Sequence, residues 1–265
     1  MNQSIDQFFA DLWQNYVEIT PSAKAIHDLL GNGAEIINDH VAFRTFNLDG
    51  IGLPALSKHM FRLGYEVAGE YQFNEKHLMA LHFEHPDASK PKVFISELLV
   101  ENLSSQAQAI IKKLAANIDL NKVEEDDFMY SGRHWDISSE DYQTLQAESE
   151  YAAWMSVWGF RANHFTVSVN ALPDFETLES VNEALKNAGF VLNTSGGEIK
   201  GSADVYLEQS STMADKQDMV FSDTTLTIPA CFYEFARRFP LESGELYSGF
   251  VAASADKIFE STNAN

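Results

Sequence analysis

The sequence predicts an α+β protein built from two β-α-β-β-β modules with extra helices at the periphery, and three observations predict it. A strand-like run opened by a histidine occurs twice, as Asn38-Asp39-His40-Val41-Ala42-Phe43-Arg44-Thr45-Phe46 and as Ala162-Asn163-His164-Phe165-Thr166-Val167-Ser168-Val169-Asn170. Each copy leads into apolar residues at helical spacing that a glycine closes, with 24 residues from His40 to Gly64 and 25 from His164 to Gly189. Each module then supplies further strands, the last carrying a glutamate in apolar surroundings, Glu97 in the first and Glu234 in the second. Matched intervals and a shared element order point to internal duplication.

From the N-terminus, Ser4 with Gln7 resembles a capping box ahead of an amphipathic helix traced by Ile5, Phe8, Phe9, Leu12 and Tyr16. Thr20-Pro21 opens a second helix that Gly31-Asn32-Gly33 ends, and both are expected to pack on the outside of the first module. There Leu53, Leu56, Met60 and Leu63 mark the helix, followed by strands at 70–73, 79–83 and 93–98. Asn102 caps a helix through Ala107, Ile110, Ile111, Leu114 and Ile118, which exits into the solvated acidic run Glu124-Glu125-Asp126-Asp127. Residues 130–158 read as one or two linking helices, with Trp154, Trp158 and Phe160 covering core.

In the second module Asp174 is the expected N-cap of a helix with Phe175, Leu178, Val181 and Leu185 as its stripe, and strands follow at 205–209, 219–222 and 228–235. Ser195-Gly196-Gly197-Glu198 is a turn, with no helix-opening pattern to make it a phosphate loop. A helix over 253–260 precedes a polar tail. The chain is expected to form one functional domain: N-terminal helices (1–36), first module (37–100), helical connection (101–160), second module (161–240), and C-terminal helix and tail (241–265).

Composition bounds the function. With 45% hydrophobic and 12% aromatic residues the chain can bury a substantial core. No run approaches the roughly 18 apolar residues that span a bilayer. The N-terminus is acidic and amphipathic, so a cytoplasmic protein without a membrane partner is expected. The single cysteine, Cys231, excludes an internal disulfide framework or a multi-thiolate metal site, and reads as a small buried residue. Eighteen basic against 39 acidic residues give a net charge of −21, which disfavours nucleic acid and serves solubility. An anion would have to be met by arginines gathered in a cleft. Arg44, Arg161, Arg237 and Arg238 are the candidates, because a guanidinium matches a carboxylate with two bonds.

In the first strand alternation puts His40, Ala42 and Arg44 on one face. The Cα atoms of His40 and Arg44 then sit roughly 13 Å apart, a span two long side chains could close around a small acid. Two neutral imidazoles and one carboxylate from three strands can occupy one face of an octahedral ion and leave three positions open, the arrangement of non-haem Fe(II) oxygenases. A 2-oxo acid takes two of these positions and dioxygen the third. His40, His164 and Glu234 fit this demand. Glu97 is the rival carboxylate, and a four-ligand site using both would favour Lewis-acid chemistry. His82-Phe83-Glu84-His85 is a second candidate, with His82 and Glu84 sharing a strand face. His27, His59, His77 and His134 lack a partner pattern, and no Gly-x-Ser-x-Gly elbow supports a serine hydrolase.

The paired modules with His, His and Glu on their first and last strands resemble the vicinal oxygen chelate superfamily. More narrowly, several stretches resemble the 2-oxoadipate dioxygenase/decarboxylase family. They are the two histidine strands, Gly201-Ser202-Ala203 running to Glu208-Gln209-Ser210-Ser211, Phe232-Tyr233-Glu234-Phe235-Ala236-Arg237-Arg238, and Gly249-Phe250 to Ala255-Asp256-Lys257-Ile258-Phe259. The resemblance implies a curved mixed sheet around a metal site and Fe(II) on His40, His164 and Glu234, although such ligands also serve other divalent ions. It implies that Arg44 is the catalytic, substrate-binding arginine, and that 2-oxoadipate and dioxygen are turned to 2-hydroxyglutarate in lysine catabolism. Arg238, on the strand face of Glu234, is the candidate for a second substrate arginine. The alternatives are a metal-dependent hydrolase, isomerase or lyase on the same fold, or a non-catalytic module that binds a small acid. The sequence leaves the oligomeric state open.

Overall fold

Ser4 accepts a hydrogen bond from the Gln7 amide and so caps α1 (Ile5–Ile19), while Thr20-Pro21 starts α2 (Pro21–Gly31), which Asn32 ends in the left-handed conformation. The computed structural model describes residues 3–263. The first module is β1 (Asn38–Phe46), α3 (Leu53–Arg62), β2 (Glu66–Phe73), β3 (Leu78–Glu84) and β4 (Lys92–Leu98). Three helices connect it to the second: α4 (Ser105–Ala115), α5 (Ser139–Glu148) and α6 (Glu150–Trp158). The second module is β5 (Ala162–Ser168), α7 (Leu178–Asn187), β6 (Lys200–Ser202), β7 (Leu207–Ser211) and β10 (Phe232–Arg238). A separate hairpin, β8 (Lys216–Val220) with β9 (Thr225–Pro229), is inserted before β10, and α8 (Ala252–Ile258) with a 3-10 turn at Phe259–Thr262 follows. No helix among the described residues is long and apolar enough to cross a membrane.

The eight main strands form one curled mixed sheet in the order β2-β3-β4-β1-β5-β10-β7-β6. Each half repeats the other about the antiparallel β1–β5 pair, and in each the first strand runs parallel to the last, β1 to β4 and β5 to β10. This is the expected α+β architecture of paired β-α-β-β-β modules. The outward face carries Phe165, Val167, Tyr233 and Phe235, all buried under helices, and the inward face carries the histidines.

Several boundaries differ from expectation, each for a local reason. The second module's second strand is β6, three residues long, with Gly201 at φ +81° where a Cβ would lie 2.1 Å from the Leu207 carbonyl oxygen. Such a strand carries no alternating apolar signal. The segment expected at 205–209 is β7, shifted by two residues, and 219–222 belongs to the separate hairpin outside the main sheet. Ser104 and Thr177 replace Asn102 and Asp174 as N-caps, their hydroxyls accepting from the amides of Ala107 and Ser180. Helices α1 and α2 do not sit on the first module alone. Trp13 packs edge-on against Phe165 at 5.1 Å and the Tyr16 hydroxyl donates to the Phe232 carbonyl, both in the second half, while Phe9 stands edge-on to Tyr65 of the first at 6.4 Å, so α1 bridges both halves. Trp154 and Trp158 do cover core, their indole N–H groups donating to the carbonyls of Ala230 and Pro229.

Candidate metal centre

Strand register gathers the inward side chains. His40 lies opposite Thr166 and Thr166 opposite Glu234, while His164 stands one pleat away, so three neighbouring strands aim two imidazoles and a carboxylate at one point. One ligand atom from each of His40, His164 and Glu234 lies within 4.8 Å of the others, and all three residues are buried. The Glu234 Oε2 is 3.1 Å from His164 Nε2, and Glu234 Oε1 is 3.5 Å from His40 Nε2.

The far side of each ligand is anchored. His40 Nδ1 is 2.7 Å from Asp39 Oδ1, His164 Nδ1 is 3.1 Å from Asn163 Oδ1, and Gln209 Nε2 donates to Glu234 Oε1 at 2.7 Å. An acceptor on Nδ1 fixes the tautomer that leaves the Nε2 lone pair to ligate, met at His40 by the Thr166 hydroxyl at 3.0 Å, and such acceptors are common behind metal-bound histidines. Buried Glu234 Oε2 has no well-formed hydrogen bond, which a buried carboxylate oxygen tolerates poorly unless something else takes its lone pairs. Burial pushes the His164 imidazole down, towards the neutral form a metal needs. The Glu234 carboxyl is opposed by burial but held below its ordinary value by the two imidazoles. The donor set of two nitrogens and one oxygen, with an orphaned oxygen at its centre, fits a divalent ion such as Fe(II).

The rival ligands are elsewhere. Glu97 points to the opposite face, where its Oε2 accepts from the Leu53 amide at the start of α3. His82 is buried but spends Nε2 on Glu84 at 3.0 Å and Nδ1 on the Tyr71 hydroxyl at 2.9 Å. That hydroxyl accepts from the Phe250 amide, and the Phe250 ring stands edge-on to His40 at 4.8 Å. His82 therefore braces the wall of the site from behind.

Of the arginines, Arg44 is 1% exposed, four residues beyond His40 on the same face. It donates to Glu150 Oε1 at 3.0 Å and Thr262 Oγ1 at 3.2 Å, lies over the Tyr151 and Trp154 rings, and has no partner for Nε among the described residues. Arg238, the candidate second substrate arginine, is held by protein groups on all three nitrogens. Its Nε and Nη2 hold the Asp39 carboxylate at 2.7 and 2.9 Å, and its Nη1 serves the carbonyls of Tyr247 and Gly249. It is tied to the protein through Asp39, which stands behind His40. Burial opposes the Asp39 charge, but the Arg238 guanidinium outweighs it and holds that carboxyl far below the usual range. Arg161 lies over Trp158, and Arg237 over Phe239, away from the ligands. Asp39, Asn163, Thr166 and Gln209 are the site residues that sequence reasoning passed over; a polar acceptor directly before each histidine was the available signal.

Comparison with known proteins places these features in context. The family pattern described as 2-oxoadipate dioxygenase/decarboxylase matches residues 12–248. The chain is 38% identical to the 2-oxoadipate dioxygenase/decarboxylase of Oryza sativa, over 97% of this chain and 79% of that protein. A crystal structure of a protein from Shewanella frigidimarina, proposed in its description to be a hydrolase, is 58% identical with a TM-score of 0.92, covering 96% of this chain and 100% of that one. Hydroxyglutarate synthase from Oryza sativa, solved in complex with 2-oxoadipate, is 36% identical with a TM-score of 0.90, covering 97% and 91%.

Proposed function

The chain belongs to the 2-oxoadipate dioxygenase/decarboxylase family, and from that premise we propose that it converts 2-oxoadipate and dioxygen to 2-hydroxyglutarate and carbon dioxide at Fe(II) held by His40, His164 and Glu234. The observation that carries the reading is the convergence of two imidazole Nε2 atoms and one unsatisfied carboxylate oxygen on a buried point. A bound ferrous ion supplies the activation of dioxygen and the electron chemistry of decarboxylation. The protein supplies the rest. Asp39 and Asn163 keep both imidazoles turned towards the ion, and Gln209 holds one carboxylate oxygen so that the other ligates. Phe94, Phe250 and Ile258 keep water from the reacting carbons.

Arg44 meets the distal carboxylate of the substrate. Its support is a buried guanidinium on the His40 face with its Nε–H unpaired among the described residues, beside a Glu150 carboxylate that is partly exposed and able to yield. Fixing both ends of a flexible acid converts binding energy into orientation of the 2-oxo group. With Glu97 on the other face of the sheet, a second carboxylate ligand, and with it the Lewis-acid alternative, loses its main support.

Dioxygen uptake by anaerobically purified, Fe(II)-loaded protein tests the reading. Addition of 2-oxoadipate is expected to draw oxygen in step with carbon dioxide release, and His40→Ala is expected to lose the metal. Iron-loaded protein that draws no oxygen with any 2-oxo acid would overturn it in favour of the hydrolytic reading.

A further inference from the structure

The cleft beside the three ligands is small, about 20 Å³, and is bounded by Phe94, Phe250, Ile258 and Phe259, which is room for about one water. The length of an acid that fits between the ion and Arg44 is therefore set by the side chains around that gap. Phe94, Phe250 and Ile258 are buried, and so is Phe259, which packs into the hydrophobic core against Phe73 but alone among the four faces a second space. That space is a cavity of about 260 Å³, lined also by Lys76, His77, Glu148, Glu150 and Tyr151. A single aromatic ring thus partitions the metal cleft from open room.

The ring stands at the Arg44 end. The Arg44 guanidinium lies 5.6 Å from the Phe259 centroid and 4.8 Å from Tyr151. Phe259 is fixed by an edge-on contact with Phe73 at 5.5 Å and by the Phe259–Thr262 turn, whose last residue accepts from Arg44. We propose that Phe259 gauges the chain length of the 2-oxo dicarboxylate, an inference that rests on the substrate class given above. The cleft as it stands holds none of these acids, so binding displaces its wall, and a six-carbon acid asks the ring for less room than a seven-carbon acid does. A longer acid keeps its distal carboxylate on the guanidinium only if the ring gives up its volume to the added methylene.

The test compares Fe(II)-loaded wild type with Phe259→Ala, Phe259→Leu and Phe259→Trp. Anaerobic dissociation constants are measured for 2-oxoglutarate, 2-oxoadipate and 2-oxopimelate, then oxygen uptake with each acid. Wild type is expected to bind 2-oxoadipate tightest. Phe259→Ala is expected to shift the 2-oxopimelate to 2-oxoadipate ratio about tenfold towards the longer acid, Phe259→Leu less, and Phe259→Trp towards 2-oxoglutarate, since one methylene commonly discriminates by about tenfold or more. A general loss of packing weakens all three acids alike and leaves the ratios in place. Folded variants whose ratios stay within about twofold of wild type overturn the proposal. Protein that binds 2-oxoadipate without oxygen uptake sinks the dioxygenase reading alone, and the ratios still decide the role of Phe259. Wild type that binds none of the three acids sinks both.

Discussion

Phe94 holds in the first module the place that Glu234 holds in the second. Phe94 pairs with Ala42, two residues past His40, and Glu234 pairs with Thr166, two residues past His164. The duplication thus supplies two first-strand histidines but only one last-strand carboxylate, with an apolar ring filling the fourth corner of the centre. Glu97, three residues further on, is not the symmetry mate. Phe94→Glu is expected to add a fourth ligand, to raise divalent-metal affinity and to depress oxygen uptake, because fewer positions stay open for substrate and dioxygen. Metal titration alongside oxygen uptake checks this, and unchanged uptake in a metal-loaded variant would count against a three-ligand ion.

Arg238 neutralises a buried carboxylate that orients His40. Arg238→Met leaves the buried Asp39 charge with only the His40 imidazole against it, a loss of about 3–5 kcal/mol for one broken buried pair. Metal affinity is expected to fall about 10- to 100-fold, as for other outer-shell partners. Adding Asp39→Asn should recover part of the stability but little of the affinity. Chemical denaturation and competition with a chelator read the two effects separately.

Lys200 is a buried amine on β6 that donates to the Asn193 carbonyl at 2.5 Å, and burial lowers its pKa from 10.5 to about 8. The unfolded chain holds this proton more tightly, so the penalty is present in full below about pH 8 and fades as the pH climbs towards 10.5. The melting temperature of wild type relative to Lys200→Met should therefore rise between about pH 7 and about pH 9.5. A flat difference would mean that the amine titrates normally.

Tyr16 reaches across from α1 to the backbone of the strand that carries Glu234, and Phe232 beside that contact stacks on the His164 ring at 4.6 Å. Tyr16→Phe removes the donor and leaves a buried carbonyl unpaired, with an expected cost of about 1–3 kcal/mol. Urea denaturation measures it, and metal affinity should change much less than stability.

The parts of this protein that could be read from sequence are those written in short-range periods. Alternation exposed β1, β5 and β10, the 3.6-residue period exposed α1, α3, α4 and α7, and the repeated Asn/Asp-His strand opening exposed the two modules. The three candidate metal ligands, which the structure brings together, could be picked out because each sits in such a strand. β6 was hidden because three residues around a glycine with positive φ carry no period. The role of Arg238 was hidden for another reason. Its partner, Asp39, is 199 positions away, and strand parity tells which face a side chain takes but not which of two anions it finds there. The same limit applies to Arg44 and Glu150, 106 positions apart.

The antiparallel β1–β5 pair has one more consequence. His40 belongs to one half of the duplicated sheet, and His164 and Glu234 to the other, so neither half owns a complete set of ligands. A bound ion acts as a rivet across the seam. The free energy of its binding is free energy that holds the halves together, rising with metal concentration as for any ligand confined to the native state. An ion bound there would thus report whether the two halves are joined, and metal-free protein is expected to loosen along the seam between them.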